Sequence, residues 1–339
     1  MEIWMLDASL GAIAPLGMVK EVRWKRNRMG TGAVTVRCLS VDSDVLARGR
    51  YLYRTDTREG AILASFQDAE GEVVLCGYEL GYILSLRRLK NPMAASERAD
   101  LALLGALRAE YAGEGVFRAL AVKESEIERV IPFAGSEAGV DLSELARLHL
   151  LEAGGRIRLR LSGDEIGCYL EQARDRSGEN GFFGQIVERH PGLNKDRLEA
   201  VRALVTGVDA QGGELLVCVE EDAADHCFYS ELLVDGGAVK RRWRGEDGQM
   251  IERSEEEYRS MLALLGREAL RERKNGRQIE MLLSRDTDRE RLAEAIGDFV
   301  RVSDRTRSIS LMGDLIESEE RYAAGVDQIW VTLSRNAEM

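Results

Sequence analysis

Histidine, proline and cysteine are scarce in this 339-residue sequence, at three, four and five residues. So little proline excludes Pro-rich linkers and collagen-like repeats. The cysteines (Cys38, Cys76, Cys168, Cys218 and Cys227) are odd in number, widely spaced and include no CxxC pair. They indicate neither a disulfide scaffold nor a zinc ribbon, and they predict folding in a reducing cytoplasm. Three histidines leave few options for acid–base or metal chemistry. No apolar run approaches the ~18 residues of a membrane span. The opening Met1-Glu2-Ile3-Trp4-Met5-Leu6-Asp7 lacks the basic segment and apolar core of a secretory signal. A positive surplus is missing too: 47 Lys+Arg against 59 Asp+Glu give −12, the wrong sign for a general nucleic-acid or anionic-membrane binder. Phosphate-loop, HExxH, GxSxG and EF-hand spacings are all absent.

What is present predicts a folded, mainly β chain. Hydrophobic residues at 45% and charged residues at 31% suit a packed core, and the length suits two or three domains. The 34 glycines suit many tight turns. In residues 1–92, Val34, Val36 and Cys38 alternate with Thr35 and Arg37, as Val22 and Trp24 do with Arg23 and Lys25. Short runs at 50–55, 61–66 and 72–76 follow between glycines, which suggests a small barrel or sandwich. An amphipathic turn covers 80–89.

Residues 93–190 read as mixed. Ser96 is expected to cap a helix carrying Leu101, Leu104, Leu107 and Tyr111. A second helix spans 142–152, opened by Asp141 or Ser143 and ended by Gly154-Gly155. In 156–161, Ile157, Leu159 and Leu161 alternate with Arg156, Arg158 and Arg160, predicting a strand with a wet arginine face. The polar stretch 174–184 reads as a loop. Residues 191–339 read as β with an inserted helix. Strands at 200–208 and 214–220 pair around Gly212-Gly213, and 231–235 and 239–244 are expected to form a hairpin on Gly236-Gly237. The helix, 254–274, opens on a Ser254/Glu257 capping box, lines up Tyr258, Met261, Leu262, Leu265 and Ala269, and stops at Asn275-Gly276. Strands at 278–283, 299–302 and 328–333, with another near 308–316, close the chain.

Candidate chemistry is thin. His149 in its leucine-rich helix reads as a satisfied core residue, and His190 before Pro191-Gly192 as a surface turn. Asp225-His226-Cys227 sets a cysteine beside a histidine, but strand neighbours face opposite ways and triads assemble from distant positions. The carboxylate pairs Asp42/Asp44, Asp164/Glu165 and Asp286/Asp288 are ordinary among 59 acids. Gly30-Thr31-Gly32 lacks the third glycine of a dinucleotide loop and opens a strand, so it reads as a turn. Trp4, Trp24, Trp243 and Trp330 read as strand residues facing a core. No catalytic, cofactor-binding or metal-binding residue is assigned. The basic stretch Lys20, Arg23, Lys25, Arg26 and Arg28 admits two readings. It is an interface for an acidic ring or a passing nucleic acid, or a solvated strand face whose stems cover apolar surface. Charge is polarised, +2 over residues 1–92 and −14 over the rest.

Several segments, in order, carry a family resemblance. They are the opening Met1-Glu2-Ile3-Trp4-Met5-Leu6-Asp7 with Val22-x-Trp24; Gly77-Tyr78, Ile83-Leu84 and Arg87-Arg88; and Ala173-Arg174-Asp175-Arg176-Ser177, like a G-x-D-R-S segment with alanine for glycine. The apolar strand 201–207 ending in Gly207 and Ile296-Gly297-Asp298-Phe299-Val300, like an L-G-D-x-V motif, complete the set. Together they resemble siphophage and prophage tail proteins, the tail-tip baseplate hubs similar to those of contractile phages. The resemblance implies an α+β, mainly β fold: two small β-barrel-like domains, at 1–92 and 191–339 with helix 254–274 inserted, and a mixed α/β insertion at 93–190. It implies a homotrimer at the virion tail tip, made in the host cytoplasm, without cofactor or membrane insertion. Its partners would be tail-tube or distal ring proteins and fibre or receptor-binding proteins, with DNA only in transit through the lumen. A neutral or negative lumen is expected, since a basic one would retain the DNA. The chain stops after its last strand, so no lytic domain is inferred. The alternatives are a tail-associated cell-wall hydrolase with a carboxylate site and a carbohydrate-binding module, which would need exposed aromatics in a groove.

Overall fold

A computed structural model describes residues 1–69, 71–86, 88–111, 120–133, 135–136, 138–152, 154–187, 199–220, 229–244, 249–274 and 278–334. The first ninety residues form β1 (Ile3–Leu6), β2 (Ala12–Pro15), β3 (Val19–Asn27), β4 (Ala33–Cys38), the short helix α1 (Ser43–Arg48), β5 (Tyr51–Arg54), β6 (Glu59–Ala69), β7 (Glu72–Glu79) and a 3-10 turn (Leu80–Leu86). Next come α2 (Ala99–Tyr111), β8 (Leu120–Ser125), α3 (Leu142–Glu152), β9 (Gly155–Ser162) and β10 (Glu165–Gln172). Then follow β11 (Phe182–Ile186), β12 (Glu199–Val208), β13 (Glu214–Glu220), β14 (Tyr229–Asp235), β15 (Arg242–Arg244), β16 (Met250–Glu252) and α4 (Glu255–Lys274). The chain ends with β17 (Gln278–Leu283), α5 (Arg289–Ala295), β18 (Phe299–Asp304), β19 (Ile309–Ala323) and β20 (Val326–Ser334).

Twelve strands form one sheet, ordered β18-β11-β17-β20-β19-β3-β4-β7-β6-β5-β1-β2. Its first five strands close into a barrel, because β18 pairs with β19 as well as with β11. Long β19 makes both structures possible. Residues 309–314 pair with β18 and residues 317–323 with β3, on either side of a register shift at Leu315/Glu317. The barrel encloses Met281, Leu292, Val302, Leu315 and Val331. The N-terminal strands continue the sheet over a core of Ile3, Met5, Val22, Trp24, Leu52 and Leu75. Strands β8-β10-β9 form a separate sheet, packed with α2 and α3 through Leu103, Leu107, Phe133, Leu145 and Leu170. Helix α4 covers β13-β12-β14 through Val205, Tyr258 and Leu262. Gly207 permits that approach: a Cβ there would lie 2.6 Å from Leu262 Cδ1 and 2.9 Å from Tyr258 Oη.

Most elements lie where periodicity and capping put them. The Ser254 N–H donates to Glu257 Oε2 (2.9 Å) and the Glu257 N–H to Ser254 Oγ (3.2 Å), closing the capping box. Asp141 Oδ1 accepts from the Ser143 N–H (2.8 Å) at the start of α3, and Gly154 beyond its end takes φ +69°.

Four expectations about elements and core residues need correction, besides the arginine face of β9 taken up with the site. The Gly236-Gly237 hairpin does not form: β14 runs parallel to β12, and β15 pairs with β16. The turn closes locally, the Val239 N–H donating to the Gly236 carbonyl (2.9 Å), but β14 finds a better-buried partner in β12. Ser96 does not cap α2, which starts at Ala99; its backbone pairs with Phe133 instead. The polar stretch after Arg174 is a loop only as far as Gly181, since Phe182 opens β11 and enters the barrel core. His149 is buried against Phe133, but among the described residues neither ring nitrogen has a hydrogen-bond partner. Burial pushes its pKa down to about 4. Arg87, His190, Pro191-Gly192, Asp225-His226-Cys227 and Asn275-Gly276 lie outside the described residues.

Candidate functional site

The arginine face of β9 is wet at Arg160 alone: Arg156 is buried and Arg158 mostly so. Arg156, Arg158 and Arg160 occupy alternate positions of β9, the first two reaching the end of α5, and Glu171 sits opposite Arg156 on β10. Arg156 is 3% exposed. Its Nε donates to Glu171 Oε2 (3.0 Å), and its Nη1 donates to Asp298 Oδ1 (2.7 Å) and to the carbonyls of Ile296 (2.9 Å) and Glu294 (3.1 Å). Arg158 Nη2 donates to the Glu294 carbonyl (2.6 Å), and its Nε lies 3.4 Å from Glu171. Arg160 Nη2 lies 3.2 Å from the other Glu171 oxygen, with its guanidinium 5.4 Å from the Tyr169 ring centroid. The Arg156 and Arg158 guanidiniums satisfy carbonyls at the C-terminal end of α5 that the helix leaves unpaired.

Asp298, fully buried, is where two segments distant in sequence meet. Its Oδ1 also accepts from the Arg174 backbone N–H (2.9 Å), and its Oδ2 from Arg176 Nε (2.6 Å). The backbones interlock: the Phe299 N–H donates to the Arg174 carbonyl (2.9 Å) and the Arg176 N–H to the Phe299 carbonyl (2.7 Å). Gly297 takes φ +88°, and a Cβ there would lie 3.2 Å from Arg28 Cγ and 3.3 Å from Arg156 Cδ. The Ala173–Ser177 segment and the Ile296–Val300 segment are therefore two halves of one clasp.

A second buried network ties the N-terminal sheet to the barrel. Arg26 holds Glu59 through both carboxylate oxygens (2.5 and 2.5 Å), and its Nη2 lies 2.6 Å from Glu320 on β19. Arg54 Nη2 donates to Glu320 Oε2 (2.6 Å), while its Nε and Nη2 also bind Asp56 (2.7 and 2.8 Å). Arg289 of α5 reaches Glu320 (3.5 Å) and Asp327. Burial disfavours the Arg26 charge, but the Glu59 and Glu320 carboxylates outweigh it and raise its pKa. Burial also works against the Glu320 carboxylate, which Arg26 and Arg54 nonetheless hold below the usual range.

A cavity of about 390 Å³ separates the two networks, with Arg26, Arg28, Arg58, Arg158, Glu59 and Glu79 in its walls. Glu79 Oε2 accepts from the backbone N–H groups of Gly32 (2.8 Å) and Asn27 (3.1 Å). Burial, with the Glu59 charge adding to it, nonetheless pushes this carboxyl up to about 7.

β3 divides the basic stretch. Arg26 and Arg28 meet at the cavity. Lys20, Arg23 and Lys25 stay at the surface, where they pair with Glu72, Glu319 and Glu317 (2.8 Å for the last). The acidic pairs do local work: Asp42 Oδ1 accepts from the Asp44 N–H (2.7 Å), Asp288 Oδ1 caps α5 through the Arg291 N–H (3.1 Å), and Glu165 pairs with Lys123 (2.5 Å). Gly30-Thr31-Gly32 is a turn held by Asn27 Oδ1, which accepts from the Met29 and Thr31 N–H groups (3.0 Å each). Sequence reasoning missed Arg54, Arg156, Glu171, Asp298 and Glu320 as a site. The regular Arg-x-Arg-x-Arg of β9 was the available sign, since three like charges on one strand face need counter-groups somewhere. Among the described residues no three metal-ligating side chains converge, and no helix is long and apolar enough to cross a membrane.

No family model matches the sequence, and no curated protein does. Solved structures do match, across the whole chain. A tail protein from Neisseria meningitidis is 11% identical with a TM-score of 0.55, over 99% of this chain and 97% of its own. The 43 kDa tail protein of prophage MuSo2 from Shewanella oneidensis is 10% identical with a TM-score of 0.58, over 99% and 98%. A prophage tail protein from Listeria monocytogenes is 9% identical with a TM-score of 0.51, over 99% and 96%. The chain therefore has the fold of these phage tail proteins, from first strand to last.

Proposed function

We propose that this protein is a structural component of a phage or prophage tail. The observation that carries the reading is end-to-end similarity to three tail proteins, with nearly all of each chain matched in both directions. We infer further that it forms a trimeric tail-tip hub joining the tube to distal receptor-binding or fibre proteins, and that it does no chemistry of its own. The buried charges support a scaffold: Asp298 and Glu320, both in the barrel part, are each held by two arginines from outside it. Units 1–92, 93–190 and 191–339 are proposed as the parts so joined, with β11 of the second unit contributing a strand to the barrel of the third. Within this reading Lys20, Arg23 and Lys25, the surface members of the basic stretch, form an interface to a neighbouring tail protein.

Light scattering over a concentration series tests the assembly. A species near three times 37.7 kDa, or a monomer shifting toward it, is expected. A stable dimer would contradict a threefold hub. Charge reversal at Lys20, Arg23 and Lys25 should reduce incorporation into tails without unfolding the protein, and unchanged incorporation would overturn the interface. Release of muropeptides from purified cell wall, lost on neutralising single carboxylates, would favour the hydrolase alternative.

A further inference from the structure

We propose that the junction cavity is an oxyanion site, in which Arg158 and Arg160 of β9 bind a small polyvalent phosphate or carboxylate compound. The argument is a shortage of counter-charge on one wall. Among the described residues one carboxylate, Glu171, lies within ion-pair distance of all three of Arg156, Arg158 and Arg160, at 3.0, 3.4 and 3.2 Å. The other acid at Arg156 is Asp298, which Arg176 shares. Of the acids on the opposite wall, Glu59 has both oxygens engaged by Arg26, and Glu79 holds its proton to about pH 7. Glu290 and Glu294 stand exposed at the rim on α5, Glu290 lying 3.8 Å from Arg58.

Arg158 responds as a cation crowded by its own kind: burial and the Arg156 charge pull its pKa down to about 10. At about 390 Å³ the space suits a ligand the size of pyrophosphate or citrate. Planar guanidinium forks match the paired oxygens of either class. Because the walls come from the N-terminal sheet, β9 and α5, a bound anion would touch all three and tighten their docking.

The test measures the melting temperature of the full-length protein in pyrophosphate or citrate, with ionic strength matched by KCl. A saturable rise is expected, about 4 °C at a hundredfold excess over the dissociation constant. The tighter of the two ligands identifies the phosphate or the carboxylate source. Arg160→Gln removes a half-exposed guanidinium, so it should melt as the unmodified protein does without ligand and bind at least about tenfold more weakly. Arg158→Gln should weaken binding as well, whereas Arg23→Gln on the outer surface should not. No saturable rise at millimolar ligand, or an undiminished rise in Arg160→Gln, would overturn the site.

Discussion

Asp298→Asn isolates the charge of the clasp without changing its shape. The aspartate is fully buried and accepts from Arg156 Nη1, Arg176 Nε and the Arg174 N–H at 2.6–2.9 Å. The amide removes the negative charge and turns an N–H₂ donor toward guanidinium donors. Arg156 is then left with Glu171, which already serves two further arginines. Breaking a buried pair from one side costs about 3–5 kcal/mol, because the remaining charge stays desolvated. Arg176→Ala should cost less, about 1–2 kcal/mol, since Asp298 keeps Arg156 and a backbone donor. The two changes should be non-additive, with a coupling of about 1–3 kcal/mol. Urea unfolding followed by tryptophan fluorescence measures each loss, and an unchanged slope would assign it to stability. The losses should also be nearly insensitive to salt, because a buried pair is poorly screened. A cost below about 1 kcal/mol for Asp298→Asn would refute the clasp.

Three further outcomes follow from buried titratable groups. Because the Glu79 pKa is raised in the fold, stability is fully present below the unfolded carboxyl value and falls as pH rises toward about 7; Glu79→Gln should remove a loss of about 2 kcal/mol across that window in unfolding measured at pH 5 and 7.5. The His149 pKa is depressed to about 4, so stability present above about 6.5 is lost as pH falls toward 4; His149→Leu should flatten that limb and gain about 1–2 kcal/mol at neutral pH by deleting two unpartnered nitrogens, and a destabilised variant would contradict this. Among the four described free thiols, exposed Cys218 should react first with a disulfide reagent, while Cys168, buried and pushed up to about 12, should react only on unfolding.

How much of this was legible in the sequence depends on whether the information is local. Strand alternation in β3, β4 and β9, the Ser254/Glu257 box and the Gly154 stop are decided by neighbours within a few residues, and the structure has them there. The pairing of β14 was not legible, because Gly236-Gly237 encodes a turn but not which strand lies beside Leu232 and Val234. The site failed for the same reason. Asp298 lies 142 residues from Arg156 and 122 from Arg176, so nothing near it distinguishes it from the other acids. Resemblance selected both segments around the clasp separately. Only the fold explains why Asp298 and Arg176 are wanted in them.

The ionic nature of the junction is itself informative. Buried ion pairs add little net stability over well-packed apolar groups, so their use here argues for fixed geometry rather than for strength. β19 must leave the barrel at Leu315/Glu317 and join β3 in one register, and a slip of two residues would keep the same face inward. An apolar seam tolerates such a slip, whereas Glu320 fits between Arg26 and Arg54 in one alignment only. In the ring proposed above each subunit would repeat the angle between barrel and sheet, so an error in that angle would accumulate around the axis and prevent closure. Replacing Arg54 and Glu320 together by Met and Leu is a charge-balanced change that leaves Arg26 paired with Glu59. We predict an unfolding free energy within about 2 kcal/mol of the original, against about 3–5 kcal/mol lost in Glu320→Leu alone. The double variant should nevertheless form fewer closed oligomers by light scattering, since what it loses is alignment. Full oligomerisation of the double variant would sink this account and leave the network as packing alone.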